Sequence, residues 1–370
     1  MHVDSSSEKA FRRCRFQIDH LDAWATGPKS SFDTKINEHN GKTYGTTKYI
    51  PPKDFVTQLD EKTTLKIESN FKHSETFHPK QSVAFERNTL AEISCSQPLG
   101  WDELYSLAIK FKHLTELLAG HSSQINSMWL GTDSKDKSKG ALLFCNDIKP
   151  NSAANEKHVH DMLIPLNAIR RRLRSVAHNW FTNYDRYSNP LGVHFSELRR
   201  PAEFVEQKFL NQIRVIEGIH RQLYFKKDFV LPTDRHKRLI AKIMGNLTTE
   251  EAQWARSKLQ LSNQMSLRQR LLQIAERNQE LIDLSAGDFR LFSKYVANAR
   301  NDEAHQFPKD TLPQKIKFRH DGAAWKLRVL ADMTLFNLIG LPGNLCLSQM
   351  KRNHRYWYYA SKDSFPWRES

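Results

Sequence analysis

Hydrophobic and polar positions change rhythm once along this chain. In the first third, Thr63-Thr64-Leu65-Lys66-Ile67-Glu68-Ser69 and Ser82-Val83-Ala84-Phe85-Glu86 alternate as half-buried strands do, so residues 1–100 read as β-rich with loops. The polar, glycine-containing stretch from Thr34 to Pro52, closed by Pro51-Pro52, reads as an exposed loop. From Trp101 to Leu118 the period lengthens: Leu104, Leu107, Ala108, Phe111, Leu114 and Leu118 fall on one face of a helix. Two short apolar runs follow, Ser127–Leu130 and Ala141–Cys145. The charged Asp133–Gly140 stretch between them makes a hairpin with a long loop.

From Met162 onward every long segment carries the helical period. Met162 to Asp185 forms the first such segment, and four arginines, Arg170, Arg171, Arg172 and Arg174, give it a basic face. From Pro201 to Tyr224, Val205, Phe209, Ile213, Ile216, Ile219 and Leu223 form one apolar stripe. A helix is expected over Thr233–Met244. Capping-box patterns at Thr248-x-x-Glu251 and Ser266-x-x-Gln269 start two more. Phe289, Phe292, Val296 and Ala299 then mark a helix with Ser285 as N-cap, and Pro308 places its end near His305. A last helix begins around Asp321, buries Leu330, Met333 and Phe336, and stops at Gly340 with Pro342 beyond. The fold class expected is therefore α+β, a β-rich N-terminal domain followed by an all-α bundle. The polar stretch from Lys149 to Lys157 separates a domain over 1–157 from a connecting helical segment over 158–200. A helical domain over 201–350 and a basic-aromatic tail over 351–370 complete the organisation.

Composition adds two constraints. The chain has 370 residues, 39% hydrophobic and 26% charged, and no apolar run long enough for a bilayer. With no secretory signal at the N-terminus, a cytoplasmic location is expected. The four cysteines lack metal or disulfide spacing and read as buried thiols. The net charge of +15 is lopsided: residues 1–160 hold 21 Lys and Arg against 20 Asp and Glu, and residues 161–370 hold 35 against 21. A helical half this basic draws polyanions, nucleic acids foremost.

The candidate chemistry sits in Arg300-Asn301-Asp302-Glu303-Ala304-His305. Arginine offers a permanent cation and a fork of donors suited to phosphate, and histidine titrates near neutrality. Together they suffice in principle to cleave RNA without a metal. One group moves a proton at the ribose 2′-OH or the leaving 5′-oxygen, and the other neutralises charge at phosphorus. On a helix Asn301 and His305 are neighbours one turn apart, whereas Arg300 lies about 140° round from His305. Either the arginine side chain wraps round or the last turn opens. The plain alternative is an ordinary solvated helix end. His158-Val159-His160-Asp161 suggests a metal site, but with no cysteine nearby and no distant ligand it reads as a loop with two solvated histidines. No glycine-rich phosphate loop, His-Glu-x-x-His, Gly-x-Ser-x-Gly elbow, zinc spacing or internal repeat is present, so neither metal nor cofactor is expected. The tail from Lys351 to Arg368 interleaves basic and aromatic residues, which fits docking on its own domain or a second subunit, or stacking on bases.

Arg300-Asn301-x-x-x-His305, late in a helical domain and followed by one more apolar helix, resembles the motif of the HEPN ribonucleases, specifically the Apea-like HEPN family of bacterial anti-phage proteins. The resemblance takes in Phe204–Tyr224, similar to the family's first helix, and the closing helix through Leu338-Ile339-Gly340-Leu341. Phe16–Trp24 is similar to part of the family's β-rich N-terminal domain, which is longer there, so this chain is expected to start inside it. The resemblance implies a metal-independent endoribonuclease with RNA, tRNA included, as substrate. In it His305 is general acid or base, Arg300 stabilises the phosphorane, and Asn301 orients His305 or binds phosphate. It further implies a homodimer through the helical domain with both motifs in one cleft, and an abortive-infection role with a phage-derived trigger sensed by the N-terminal domain. Two rival readings keep the fold without that activity or control: a non-catalytic nucleotide- or RNA-binding module, and a toxin restrained by a separate antitoxin.

Overall fold

The computed structural model describes residues 10–26, 32–40, 42–50, 53–76, 82–132, 140–143, 157–200, 204–225, 229–281, 288–305 and 314–357. The chain forms two compact units, Met1–Asp185 with Phe336–Arg355, and Arg186–Leu335 with Tyr356–Ser370.

The first unit is built on a six-stranded antiparallel sheet of β1 (Phe11–Ile18), β4 (Phe55–Gln58), β5 (Thr63–Thr76), β6 (Ser82–Leu99), β7 (Ile125–Gly131) and β8 (Gly140–Leu143), in the order β4-β5-β6-β1-β7-β8. β1 runs between β6 and β7, with a register shift between Phe11 and Arg13; the adjacent Arg13 and Cys14, on opposite faces of the strand, are both buried, Arg13 lying 5.1 Å from the Trp129 ring centre. β5 and β6 are longer than their alternating cores. Past Ser69 the sequence turns polar, so nothing in its hydrophobic pattern marks the pairing, yet the ladder continues to Thr76 opposite Ser82. The hairpin β7–β8 forms as expected, with Met128 opposite Leu143, and the charged loop at 133–139 lies outside the described residues.

Thr34–Pro52 is not a loop. β2 (Phe32–His39) and β3 (Lys42–Tyr49) pair antiparallel with His39 opposite Lys42, and Asn40 takes a left-handed φ of 53°. Asn40-Gly41 is a strong hairpin signal, and the threonines, Ile36 and the tyrosines are good strand formers. Polarity on both faces hid them.

Helix α1 (Leu21–Thr26) buries Trp24, whose Nε1 donates to the Ile164 carbonyl at 2.9 Å. Helix α2 (Trp101–Ala119) lies against β1 and β6. The Glu103 carboxylate accepts from the Gly100 N–H at 2.9 Å, which caps its start, and left-handed Gly120 ends it. The expected Met162–Asp185 helix is broken into α3 (Leu166–Ile169) and α4 (Leu173–Asn183), with a 3₁₀ turn over Val159–Asp161 before them. His158 and His160 are exposed and stacked, ring centroids 4.8 Å apart. Among the described residues no group of three His, Cys, Asp or Glu is placed to hold a metal, and Cys14, Cys95 and Cys346 are buried and form no disulfide with one another. Cys145 lies outside the described residues.

The second unit is helical: α5 (Ser188–Arg199), α6 (Val205–Leu223), α7 (Thr233–Met244), α8 (Thr249–Leu259), α9 (Leu267–Glu276), α10 (Asp288–His305) and most of α11 (Gln314–Leu338). α6 buries Phe209, Ile213, Ile216 and Ile219 and packs on α5, α9 and α10. Gly218 permits the approach to α5, since a Cβ there would stand 2.9 Å from the Pro190 Cβ. Both capping boxes form: the Thr248 hydroxyl accepts from the Glu251 N–H and the Ser266 hydroxyl from the Gln269 N–H. α11 starts at Gln314, well before its apolar positions begin, and is buried all round from Lys326 to Phe336. Past Gly340 the chain makes a further helix, α12 (Gly343–Arg352), where the sequence reading had only the helix stop and then the tail. Pro342 precedes its first turn. As the N-cap, one place before the first helical position that proline favours, it gives up no intrahelical N–H bond and so can precede a helix as well as follow one.

Candidate active site

α10 carries the motif because its apolar face is continuous. Phe289, Phe292, Val296 and Ala299 are all buried, and the helix packs against α6 and α9. The expected N-cap Ser285 and the Pro308 stop lie outside the described residues. Midway along, the Tyr295 ring stands 6.2 Å from that of His320 on α11, which in turn is 4.9 Å from Phe209 on α6. Three helices are thus tied together one turn before the motif.

The helix runs through His305, its last residue. Arg300 and Asn301 are exposed, and Arg300 Nη1 donates to Asn301 Oδ1 at 3.3 Å. The His305 side chain lies outside the described residues. With helical backbone to the end, Asn301 and His305 are one turn apart on the same side. Arg300 is about 140° away from His305 in azimuth. The helix end does not open by His305, so the long guanidinium must reach round the terminus if both side chains are to meet one phosphate. The last turn of a helix presents carbonyls and partial negative charge. A phosphate brought here would need cationic and amide side chains, since a helix C-terminus presents no backbone N–H groups. Arg300 and Asn301 are of the right kind.

Of the buried charged residues in the helical unit that the sequence does not announce, Lys326 and a cluster around Asp332 bear on proton chemistry. Lys326 on α11 is only 5% exposed, with Nζ 5.9 Å from the Phe292 ring centre. Burial pushes its pKa down to about 8, against a partial rise from Asp288. A lysine so perturbed is a candidate for proton chemistry. However, it sits beside the first turns of α10, and Asp288 is about 25 Å along the helix axis from His305. It belongs to the core and not to the motif.

The other is a sealed network. His194 Nε2 on α5 stands 2.9 Å from Asp332 Oδ1 on α11, the Tyr356 hydroxyl donates to Asp332 Oδ2 at 3.0 Å, and Arg328 Nε is 3.5 Å from the same oxygen. Burial by itself would raise the Asp332 carboxyl, but Arg328 and His194 outweigh it and hold it below the usual range. With Asp332 1% exposed and His194 fully buried, no substrate reaches this site. It fastens Tyr356, the first aromatic residue of the basic-aromatic tail, into the helical unit. Trp357 is exposed, and residues 358–370 lie outside those described. Nothing local in the sequence pairs His194 with Asp332. Only the packing of α5 beside α11 does.

In the first unit a small cleft is lined by Asp19, His20, Trp24, Thr115, His121 and Ser123. His20 has a φ of 63°, unusual for a residue with a Cβ. His121 Nε2 donates to the Asp161 carbonyl at 3.0 Å and its Nδ1 accepts from Arg355 Nη1 at 3.1 Å, which fixes a neutral tautomer. Burial first, then Arg355, pushes its pKa down to about 4.

Comparison with known families finds two matches on this chain. The family described as ApeA N-terminal domain 1 matches residues 1–180, and the family described as Apea-like HEPN matches residues 210–322. The second span includes α10 and hence Arg300, Asn301 and His305. No curated protein and no solved structure matches the chain.

Proposed function

Since this chain belongs to the ApeA-type HEPN family, we propose that it is a metal-independent endoribonuclease acting in anti-phage defence by abortive infection, with RNA, tRNA included, as substrate. The observation that carries the reading is the end of α10. An exposed Arg300 bonded to Asn301 and a His305 one turn further on stand at the terminus of a helix whose other face is buried in the core.

In this mechanism the 2′-OH attacks the adjacent phosphorus while His305 acts as general acid or base. Arg300 neutralises the charge that grows on the phosphorane oxygens, and Asn301 orients His305 or shares the phosphate. One motif contributes a single titrating histidine, whereas the reaction needs a proton taken and a proton returned. A two-fold dimer that brings two motifs to one cleft supplies both. The N-terminal unit then serves as the sensor of a phage-derived trigger.

The test is incubation of purified protein with total cellular RNA in EDTA. Wild type should leave a 2′,3′-cyclic phosphate or 3′-phosphate and a 5′-OH, and His305→Ala should be slower by about 10²- to 10⁴-fold. Mixing Arg300→Ala with His305→Ala chains should restore part of the rate. Undiminished cleavage by His305→Ala, or a 5′-phosphate product made only with magnesium, would refute the proposal.

A further inference from the structure

Helices α7 and α8 form an arm that the helical core does not explain. The arm is closed at its base: Phe229 bridges Gln264, the Val230 N–H donates to the Asn263 carbonyl at 2.9 Å, and the buried Asn263 amide exchanges two hydrogen bonds with the Leu231 backbone. His236 Nε2 and the Ser262 hydroxyl, 2.9 Å apart, join the start of α7 to the far end of α8. Beyond that base the two helices lie against each other. α7 buries no residue and α8 only Ala255. A helical pair that contributes so little to the core of its own unit is held out for something else.

Its charges indicate what. Residues 229–266 hold six Lys and Arg, namely Arg235, Lys237, Arg238, Lys242, Arg256 and Lys258, all exposed, against three acids, Asp234, Glu250 and Glu251. Each acid lies in the first turn of its helix, where the positive end of the helix offsets its charge. Glu251 is further engaged, accepting from the Thr248 N–H at 2.8 Å and its hydroxyl at 2.7 Å. Among the described residues the cations have no such internal use. Arg235, Arg238 and Lys242, at i, i+3 and i+7, line one side of α7. On α8 Trp254 is 67% exposed, with the exposed Lys258 one turn beyond it, and Phe229 at the base is 49% exposed. A basic stripe with a bare indole is what grips an unpaired polyanion: cations track phosphates and the ring stacks on a base. A second copy of the chain would bring like charges together on docking this face.

We propose that the α7–α8 arm is an RNA-holding element separate from the α10 motif, in which Arg235, Arg238 and Lys242 engage phosphates and Trp254 stacks on an unpaired base. It rests on the ribonuclease reading, whose substrate it holds while the motif cuts. The test is fluorescence anisotropy of a 5′-labelled single-stranded RNA 20-mer with the full chain, on a His305→Ala background so that the probe is not consumed. Replacing Arg235, Arg238 and Lys242 together by Gln should weaken binding roughly 100-fold at about 0.1 M salt and flatten the slope of log affinity against log salt by about 2. Trp254→Ala should weaken it about 5- to 100-fold with the slope unchanged. Parental affinity in both variants overturns the proposal. So does an arm variant that turns a dimer into a monomer by sedimentation while RNA affinity holds, which makes the arm a self-association surface. Binding is read apart from cutting. Lost binding in arm variants of a wild-type chain that cleaves nothing sinks the nuclease reading and keeps the arm, and cleavage with unaltered binding does the reverse.

Discussion

Replacing Lys326 by Met should stabilise the helical unit at neutral pH, and the gain should shrink as the pH rises. The native ammonium is 5% exposed beside Phe292, and its pKa falls to about 8 from an ordinary 10.5. A lysine whose native pKa is lowered binds its proton less well folded than unfolded. The penalty is therefore fully present below about pH 8. It is relieved between about pH 8 and 10.5, as the native side chain gives up its proton first. At pH 7 it amounts to on the order of 3 kcal/mol, and at pH 9 to about 2 kcal/mol. Methionine keeps the stem's packing against Phe292 without a charge to bury. Urea unfolding of both chains at several pH values between about 7 and 9.5 gives the difference at each, and groups common to both cancel. The expected result is a variant more stable at pH 7 whose advantage falls by about 1 kcal/mol by pH 9. Parallel profiles would show that Lys326 titrates normally and that the account of its burial is wrong.

Two further outcomes test other parts of the structure. With the His121 pKa at about 4, the native first unit resists protonation that the unfolded chain accepts, so it should lose up to about 3 kcal/mol as pH falls from about 6.5 to 4; His121→Gln should flatten that part of an acid-unfolding profile. Gly218→Ala sets a Cβ 2.9 Å from the Pro190 ring, so a cost of about 1–3 kcal/mol should exceed the roughly 1 kcal/mol that alanine gains in helix propensity. A higher Tm for Gly218→Ala would mean that α5 and α6 have room to move apart.

What the sequence determined by itself was local. The periods of α2, α6 and α10 named most of the residues that are buried, with Leu107, Val205 and Leu223 only half-buried, and Thr248-Glu251 and Ser266-Gln269 announced their helix starts, because capping and amphipathicity are written within a few adjacent positions. The helix that carries Arg300, Asn301 and His305 was legible for the same reason. Elements whose signal is not hydrophobic were lost: β2 and β3 are polar on both faces, and β5 runs on past Ser69 to Thr76 through a mostly polar stretch. α11 gave a different difficulty, since it starts at Gln314, well before the apolar positions that mark it in the sequence. The tertiary structure alone decided which distant charges share a site. His194 meets Asp332 across 138 positions, Lys326 finds itself under Phe292, and Arg355 reaches His121. Each of those pairings depends on how helices or strands pack, and burial rather than sequence context then sets the protonation of the groups involved.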